Sequence, residues 1–140
     1  MSVTKLGENQ KLMKDGAIAF PENGKPHLVG SKCTKCGKQF FPARPLCTEC
    51  FSEEMETVAL SREGSIYTMT NVFVGIKGFQ APYMLGWIDI DQSRIAALID
   101  WPVEKSDEVK IGQKVELEVD VLRTDETGTE IVGYKFKPIV

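Results

Sequence analysis

Beyond Met55 the chain is written in β-branched and aromatic runs whose polarity flips at every second residue. In Val115-Glu116-Leu117-Glu118-Val119-Asp120-Val121 the valines and the leucine fall on one side and the acids on the other. That is the period of a strand with one buried and one wet face. Comparable runs occupy Thr57 to Leu60, Ser65 to Val74, Tyr83 to Asp91, Arg94 to Trp101 and Glu130 to Phe136, so that five or six strands follow one another. Asp89-Ile90-Asp91-Gln92-Ser93-Arg94 and Asp125-Glu126-Thr127-Gly128-Thr129 have the polar composition of hairpin turns. Ser106-Asp107-Glu108 resembles a helix start, but Gly112 follows so soon that it allows one turn.

The remainder reads differently. Residues 1–26 are polar, with a short helix expected around Asn9 to Ala19 before Pro21, and make an arm. Residues 27–54 hold all four cysteines together with Gly30, Gly37, Pro42 and Pro45, turn-forming material that leaves little regular structure of its own. Something other than an apolar core must hold this stretch. Residues 55–140 carry the strands, and hiding the edges of about five antiparallel strands favours a small closed barrel such as the OB-fold, with a small sandwich as the competing arrangement. The fold class is therefore mainly β, with a short helical arm.

Composition narrows the function classes. A chain of 140 residues with 42% hydrophobic positions suffices for one ordinary domain, or two very small ones sharing a core, and rules out a large multidomain enzyme. Seventeen Lys and Arg against twenty Asp and Glu give −3, which argues against gross attraction to nucleic acid. No apolar run approaches the roughly 20 residues that cross a bilayer, and Met1 to Leu12 has no signal-peptide core, so a cytoplasmic location is expected.

Cys33-Thr34-Lys35-Cys36-Gly37 and Cys47-Thr48-Glu49-Cys50 are two Cys-x-x-Cys pairs ten residues apart, the spacing that lets two knuckles complete a tetrahedron of thiolates. Gly37 supplies the positive φ that such a knuckle needs, whereas Phe51 stands at the corresponding place after Cys50, so the second knuckle is expected to turn differently. Paired disulfides or redox-active motifs are the competing reading. The same ligands hold Zn²⁺ or iron, and four sulfurs leave no open position, so the metal is structural in either case. Lys32, Lys35 and Lys38 surround the first knuckle, where the thiolate charge sits.

Leu28-Val29-Gly30-Ser31-Lys32-Cys33-x-x-Cys36-Gly37, Phe41-Pro42-x-Arg44-x-x-Cys47-x-x-Cys50, Leu60-Ser61-x-x-Gly64-x-Ile66-Tyr67-x-x-Thr70 and Ile111-Gly112-x-x-Val115, in that order, resemble the zinc-ribbon plus OB-fold proteins that accompany thiolases. The resemblance runs from about Leu28 to Pro138. It implies a rubredoxin-like ribbon followed by an OB-fold, in a non-catalytic subunit bound to a thiolase-like catalytic partner that handles acyl-CoA. Where that family usually has Leu-Ser-Gly at the first barrel strand, this chain has Leu60-Ser61-Arg62, which alters the local turn.

The residue inventory agrees that catalysis comes from elsewhere. Thiolase-type chemistry needs a nucleophilic cysteine with nearby bases, every cysteine here is committed to metal, and His27 is the one histidine. Between Lys25 and Thr48 stand five cations (Lys25, Lys32, Lys35, Lys38, Arg44) and no acid. They either compensate the thiolates or recruit the phosphates of coenzyme A, with Arg44, between Pro42 and Pro45, best placed for an anion. The apolar loop from Val72 to Tyr83 is either a lid on its own barrel or a contact surface for a partner or an acyl-CoA chain. The candidate contacts for coenzyme A or a partner are Lys38, Phe41, Arg44, Phe73, Lys77, Phe79 and Tyr83, and the metal ligands are Cys33, Cys36, Cys47 and Cys50. Trp87 and Trp101 are expected in the core. The runner-up function is an OB-fold module for nucleic acid, for which Phe40 and Phe41 beside the cations supply aromatic rings, although the barrel stretch is acidic.

Overall fold

The structure is a computed structural model that describes residues 6–13, 16–22, 24–75, 79–91 and 93–139. Its strands are β1 (Gln10–Leu12), β2 (Ile18–Ala19), β3 (His27–Cys33), β4 (Gln39–Phe40), β5 (Met55–Ala59), β6 (Glu63–Val72), β7 (Tyr83–Ile90), β8 (Ser93–Ile99), β9 (Lys114–Thr124) and β10 (Glu130–Pro138), with a 3₁₀ helix at Val103–Glu108.

β6 to β10 close on themselves. β7 runs antiparallel between β6 and β8, β9 runs antiparallel to both β6 and β10, and β10 lies parallel to the end of β8, Lys135 opposite Leu98 and Phe136 opposite Ile99. The circuit β6-β7-β8-β10-β9 is a five-stranded OB-fold barrel. Alternation produces its core: Met84, Ile88 and Ile90 of β7, Ile95 and Ile99 of β8, and Val115, Leu117 and Val119 of β9 all point inward and are buried with Phe136. Each such aliphatic stabilises the fold by about 1.5–3 kcal/mol on burial. The polar sequence from Asp125 to Thr129 forms the expected turn. Asp125 closes the β9–β10 turn, its carboxylate accepting from the N–H of Thr127 at 2.9 Å and of Thr129 at 3.0 Å.

One irregularity in the barrel recurs below. On β9, Val121 faces Val132 and Arg123 faces Ile131, so Leu122 is an extra residue, a β-bulge that breaks the alternation.

Around β3 a second, smaller sheet forms: β2, β4 and β5 all pair with it antiparallel. Met55–Ala59, expected to lead into the barrel, thus hydrogen-bonds along Val29–Cys33, with Lys32 opposite Glu56. Leu28 of β3 is fully buried in the same core as the barrel side chains, so the two sheets share one interior. Arg62 ties them together from the barrel side. Its guanidinium donates to the carbonyl of Pro26 and, at 2.9 Å, to that of Leu117 on β9.

Two expectations need correction. Among the described residues the arm forms strands in place of the expected helix: β1 pairs parallel with β10 over Glu130–Val132, and β2 pairs with β3. β8 reaches only Lys135 and Phe136, which leaves the far end of β10 with unpaired backbone groups, and β1 satisfies them against a helix propensity too weak to compete. Trp87 is not in the core. It alternates with Gly86 and Ile88 onto the outer face of β7 and is 47% exposed. Trp101 is half-buried, its Nε1–H donating to the Lys105 carbonyl at 3.0 Å.

Candidate functional site

The two cysteine pairs sit on matching knuckles. In the first, the Cys33 N–H donates to the Lys38 carbonyl at 2.9 Å and the Gly37 N–H to the Cys33 carbonyl at 2.9 Å. In the second, the Cys47 N–H donates to Ser52 and the Phe51 N–H to Cys47, again at 2.9 Å each. Gly37 has φ 82° and Phe51 has φ 60°. The second knuckle therefore turns like the first, contrary to expectation, with Phe51 held in the left-handed region and its ring directed to solvent.

The four sulfurs converge. All Sγ atoms lie within 4.8 Å of one another, with Cys33 to Cys50 and Cys36 to Cys47 at 3.5 Å. Four-sulfur coordination at about 2.3 Å per bond places sulfurs slightly under 4 Å apart, so the residues fit a tetrahedral ion. Electrostatics point the same way. The N–H of Cys36, followed by that of Lys35, lowers the Cys33 thiol to about 6 despite burial, and the N–H of Cys50 lowers Cys47 in the same manner. For Cys50 the pull of the Ser52 N–H is outweighed by the Cys33 sulfur and by burial, and the thiol is pushed up to about 12. Cys36 is likewise raised, the Lys38 N–H being outweighed by Cys47 and burial. The site accepts two negative charges readily and resists four, a resistance that a dication removes. Cys33 and Cys47 are buried while Cys36 and Cys50 face solvent.

Of the cations near the ribbon, two are already paired. The Lys38 Nζ meets a Glu49 carboxylate oxygen at 2.8 Å, and Lys25 reaches Glu116 at 3.8 Å. The charge segregation seen along the chain is thus partly undone in space. Arg44 is exposed, its guanidinium 5.9 Å from the Phe40 ring centroid. Its backbone N–H donates to the buried Ser31 Oγ at 2.8 Å, an anchor that the flanking prolines did not disclose.

The Val72 to Tyr83 loop has two sides. Phe73 and Val74 are 69% and 89% exposed. Phe79 instead folds back toward Tyr83, ring centroids 6.4 Å apart, and stands under the Arg123 guanidinium at 6.0 Å. Lys77 lies outside the described residues. Phe41 packs edge-on against Tyr134 of β10 at 5.5 Å, and Tyr134 lines the same groove as Phe79 and Tyr83. The fold therefore brings Phe41, Phe79 and Tyr83 together around Tyr134 and leaves Lys38, Arg44 and Phe73 on separate surfaces. Tyr134 and Leu122 escaped sequence reading because strand alternation marks them as ordinary core or surface positions, and a one-residue bulge has no signature there. His27 is half-buried, with Nδ1 3.2 Å from the Leu28 carbonyl, and no described acid pairs with it.

Comparison with known proteins adds context to this geometry. Residues 24–56 match the family model described as the ChsH2 rubredoxin-like zinc ribbon domain. Over 119 residues the chain is 34% identical to the benzoylsuccinyl-CoA thiolase subunit BbsA of Geobacter metallireducens, covering 84% of this chain and 79% of that one. The protein of the same name from Thauera aromatica is 36% identical over 124 residues, covering 87% and 84%. A DUF35 domain-containing scaffold protein of Methanocaldococcus jannaschii is 37% identical over 118 residues, covering 80% and 82%. Among solved structures, a chain of the Ltp2-ChsH2(DUF35) aldolase superimposes with a TM-score of 0.64 at 22% identity, covering 81% of this chain and 86% of that one, a likeness of fold.

Proposed function

Since the chain belongs to the family of DUF35 zinc-ribbon and OB-fold proteins that includes the BbsA thiolase subunits, we propose that it is the non-catalytic subunit of a thiolase-like enzyme acting on acyl-CoA. The observation that carries this reading is the commitment of every cysteine to one tetrad, which leaves no thiol to form an acyl intermediate. The catalytic nucleophile then belongs to a partner, and this chain supplies surface and charge. Zinc at the tetrad fixes the ribbon and takes no part in the chemistry. We place the complex in the cytoplasm. Benzoylsuccinyl-CoA, the substrate in the names of two relatives, is the first acyl-CoA to try, within an aromatic-degradation role.

Two surfaces serve the complex in this reading. Phe73 and Val74 offer apolar area to the partner, and Arg44, held by Ser31 and beside the Phe40 ring, offers a cation to a coenzyme A phosphate. Lys38 is left out, being spent on Glu49.

The outer barrel face favours a second reading. Trp87 and Tyr67 are exposed there, and Arg94 stacks 3.4 Å over the Tyr67 ring, an arrangement suited to single-stranded nucleic acid. Against it, Arg94 is neutralised by Asp89 at 2.6 Å and the chain is net acidic.

Purification of the tagged chain from its host separates the two. A co-purifying thiolase, lost from Phe73→Asp in a salt-independent manner, supports the subunit reading. Arg44→Ala should leave assembly intact and raise the apparent constant for coenzyme A most strongly at low salt. Co-purifying RNA in place of a thiolase sinks it.

A further inference from the structure

Between the Phe79 side of the loop, β7, β8 and β10 runs a groove of about 230 Å³ whose wall includes Tyr83, Leu85, Ala96, Leu98 and Tyr134. Its lining is almost wholly apolar and aromatic, and it is larger than the roughly 150 Å³ apolar cavity that houses benzene in an engineered protein. Met13 forms part of this groove and also part of a neighbouring recess of about 300 Å³ that contains Lys11 and Arg123. An apolar slot therefore opens directly onto a cationic end.

The β9 bulge creates that juxtaposition. With Leu122 inserted, two consecutive side chains work on one side of the strand: Leu122 lines the groove, and Arg123 reaches over Phe79. Bulges re-aim side chains in this way beside binding sites. Gly133, across on β10, makes the room. A Cβ there would stand 2.5 Å from Leu122 Cδ1 and 3.4 Å from Met13 Cε, driving both into the groove.

The two cations are not equivalent. Lys11 pairs with Asp125 at 3.6 Å, whereas Arg123 has no ion-pair partner among the described residues. One unpaired guanidinium matches one carboxylate, in two parallel hydrogen bonds. Burial raises the Tyr134 phenol above its ordinary pKa, so this wall of the groove carries no charge.

We propose that this groove binds small hydrophobic carboxylates, the apolar body seated against Phe79, Leu98 and Tyr134 and the carboxylate on Arg123. The site belongs to this chain alone and requires no partner, so it stands or falls apart from the thiolase reading.

Titration of the full chain with 3-phenylpropionate, followed by calorimetry and amide chemical shifts, tests it. Saturable one-site binding is expected, with 3-phenylpropionamide at least tenfold weaker. Arg123→Gln should erase the preference for acid over amide. Ala96→Leu, which fills the groove from an outward-facing position on β8, should weaken both ligands at least tenfold while the melting temperature is held. Absence of saturable binding to the wild-type chain overturns the proposal, as does equal affinity for acid and amide or an acid preference that survives Arg123→Gln. If the ligands bind while no thiolase co-purifies, the subunit reading alone fails; the opposite pattern fails the groove alone.

Discussion

Gly37 and Phe51 occupy the same position in two superimposable knuckles, each donating its N–H to the carbonyl of the first cysteine of its pair at 2.9 Å with φ positive. A glycine adopts that conformation freely, while for other L-residues the left-handed region costs about 1–2 kcal/mol. The hydrogen bonds and the converging sulfurs hold Phe51 there regardless. Phe51→Gly should therefore retain the metal and lose no stability, the relieved strain offsetting the added freedom of the unfolded chain. Gly37→Val should lose at least 1 kcal/mol. Thermal melts and metal release to a chelator of both variants decide the matter.

Metal content should be one tightly held ion per chain, zinc in protein grown without supplementation. Its removal should accelerate hydrogen exchange of the amides of residues 33–54 while those of the barrel strands remain protected, because the barrel has its own apolar core. Cys47→Ser, at a buried ligand, should damage the ribbon more than Cys50→Ser, at an exposed one. Native mass spectrometry reads the stoichiometry directly, and four oxidised thiols in place of metal would falsify the assignment.

Arg62→Ala should destabilise the chain by about 1.5–3 kcal/mol, the range for hydrogen bonds made by a charged group. Arg62→Lys should recover little, since one ammonium cannot span the Pro26 and Leu117 carbonyls as a planar fork does. Urea unfolding at constant slope measures both.

Acid should weaken the β9–β10 turn through Asp125. The Thr127 hydroxyl and burial act in opposite senses on that carboxyl, and with the Thr129 and Thr127 N–H groups added the net effect lowers it from 3.8 to about 2. A carboxylate lowered on folding contributes stability that is complete above its unfolded value and is lost as pH falls from about 4 toward 2. Asp125→Asn should flatten stability across that window and leave the neutral-pH slope unchanged, as followed by denaturant titration at several pH values.

Strand positions were legible because the alternation from Val115 to Val121 is a local property of sequence, and the tetrad was legible because cysteine spacing has few uses. Pairings were not. Whether Met55–Ala59 joined β3 or the barrel depended on partners distant in the chain, and the arm became strand because β10 offered an open edge to β1 and β3 one to β2. Trp87 shows the limit of residue type as a guide: strand parity sent it outward although tryptophan is usually buried. The second knuckle misled for a similar reason, since φ at Phe51 is set by its hydrogen bonds and the sulfurs rather than by its own preference.

The three residues of β1 have a consequence for how this protein behaves in a crowd. Glu130–Val132 would otherwise present a bare row of donors and acceptors on a strand with alternating side chains, a template on which another molecule could add a strand of its own. Gln10 fastens the guard with a 3.0 Å bond to Glu130, and Asn9 adds one of 2.9 Å to the Gly128 carbonyl. A chain shortened past Met13 would fold its barrel with that edge uncovered, and copies would add to one another through β10 as its concentration rises.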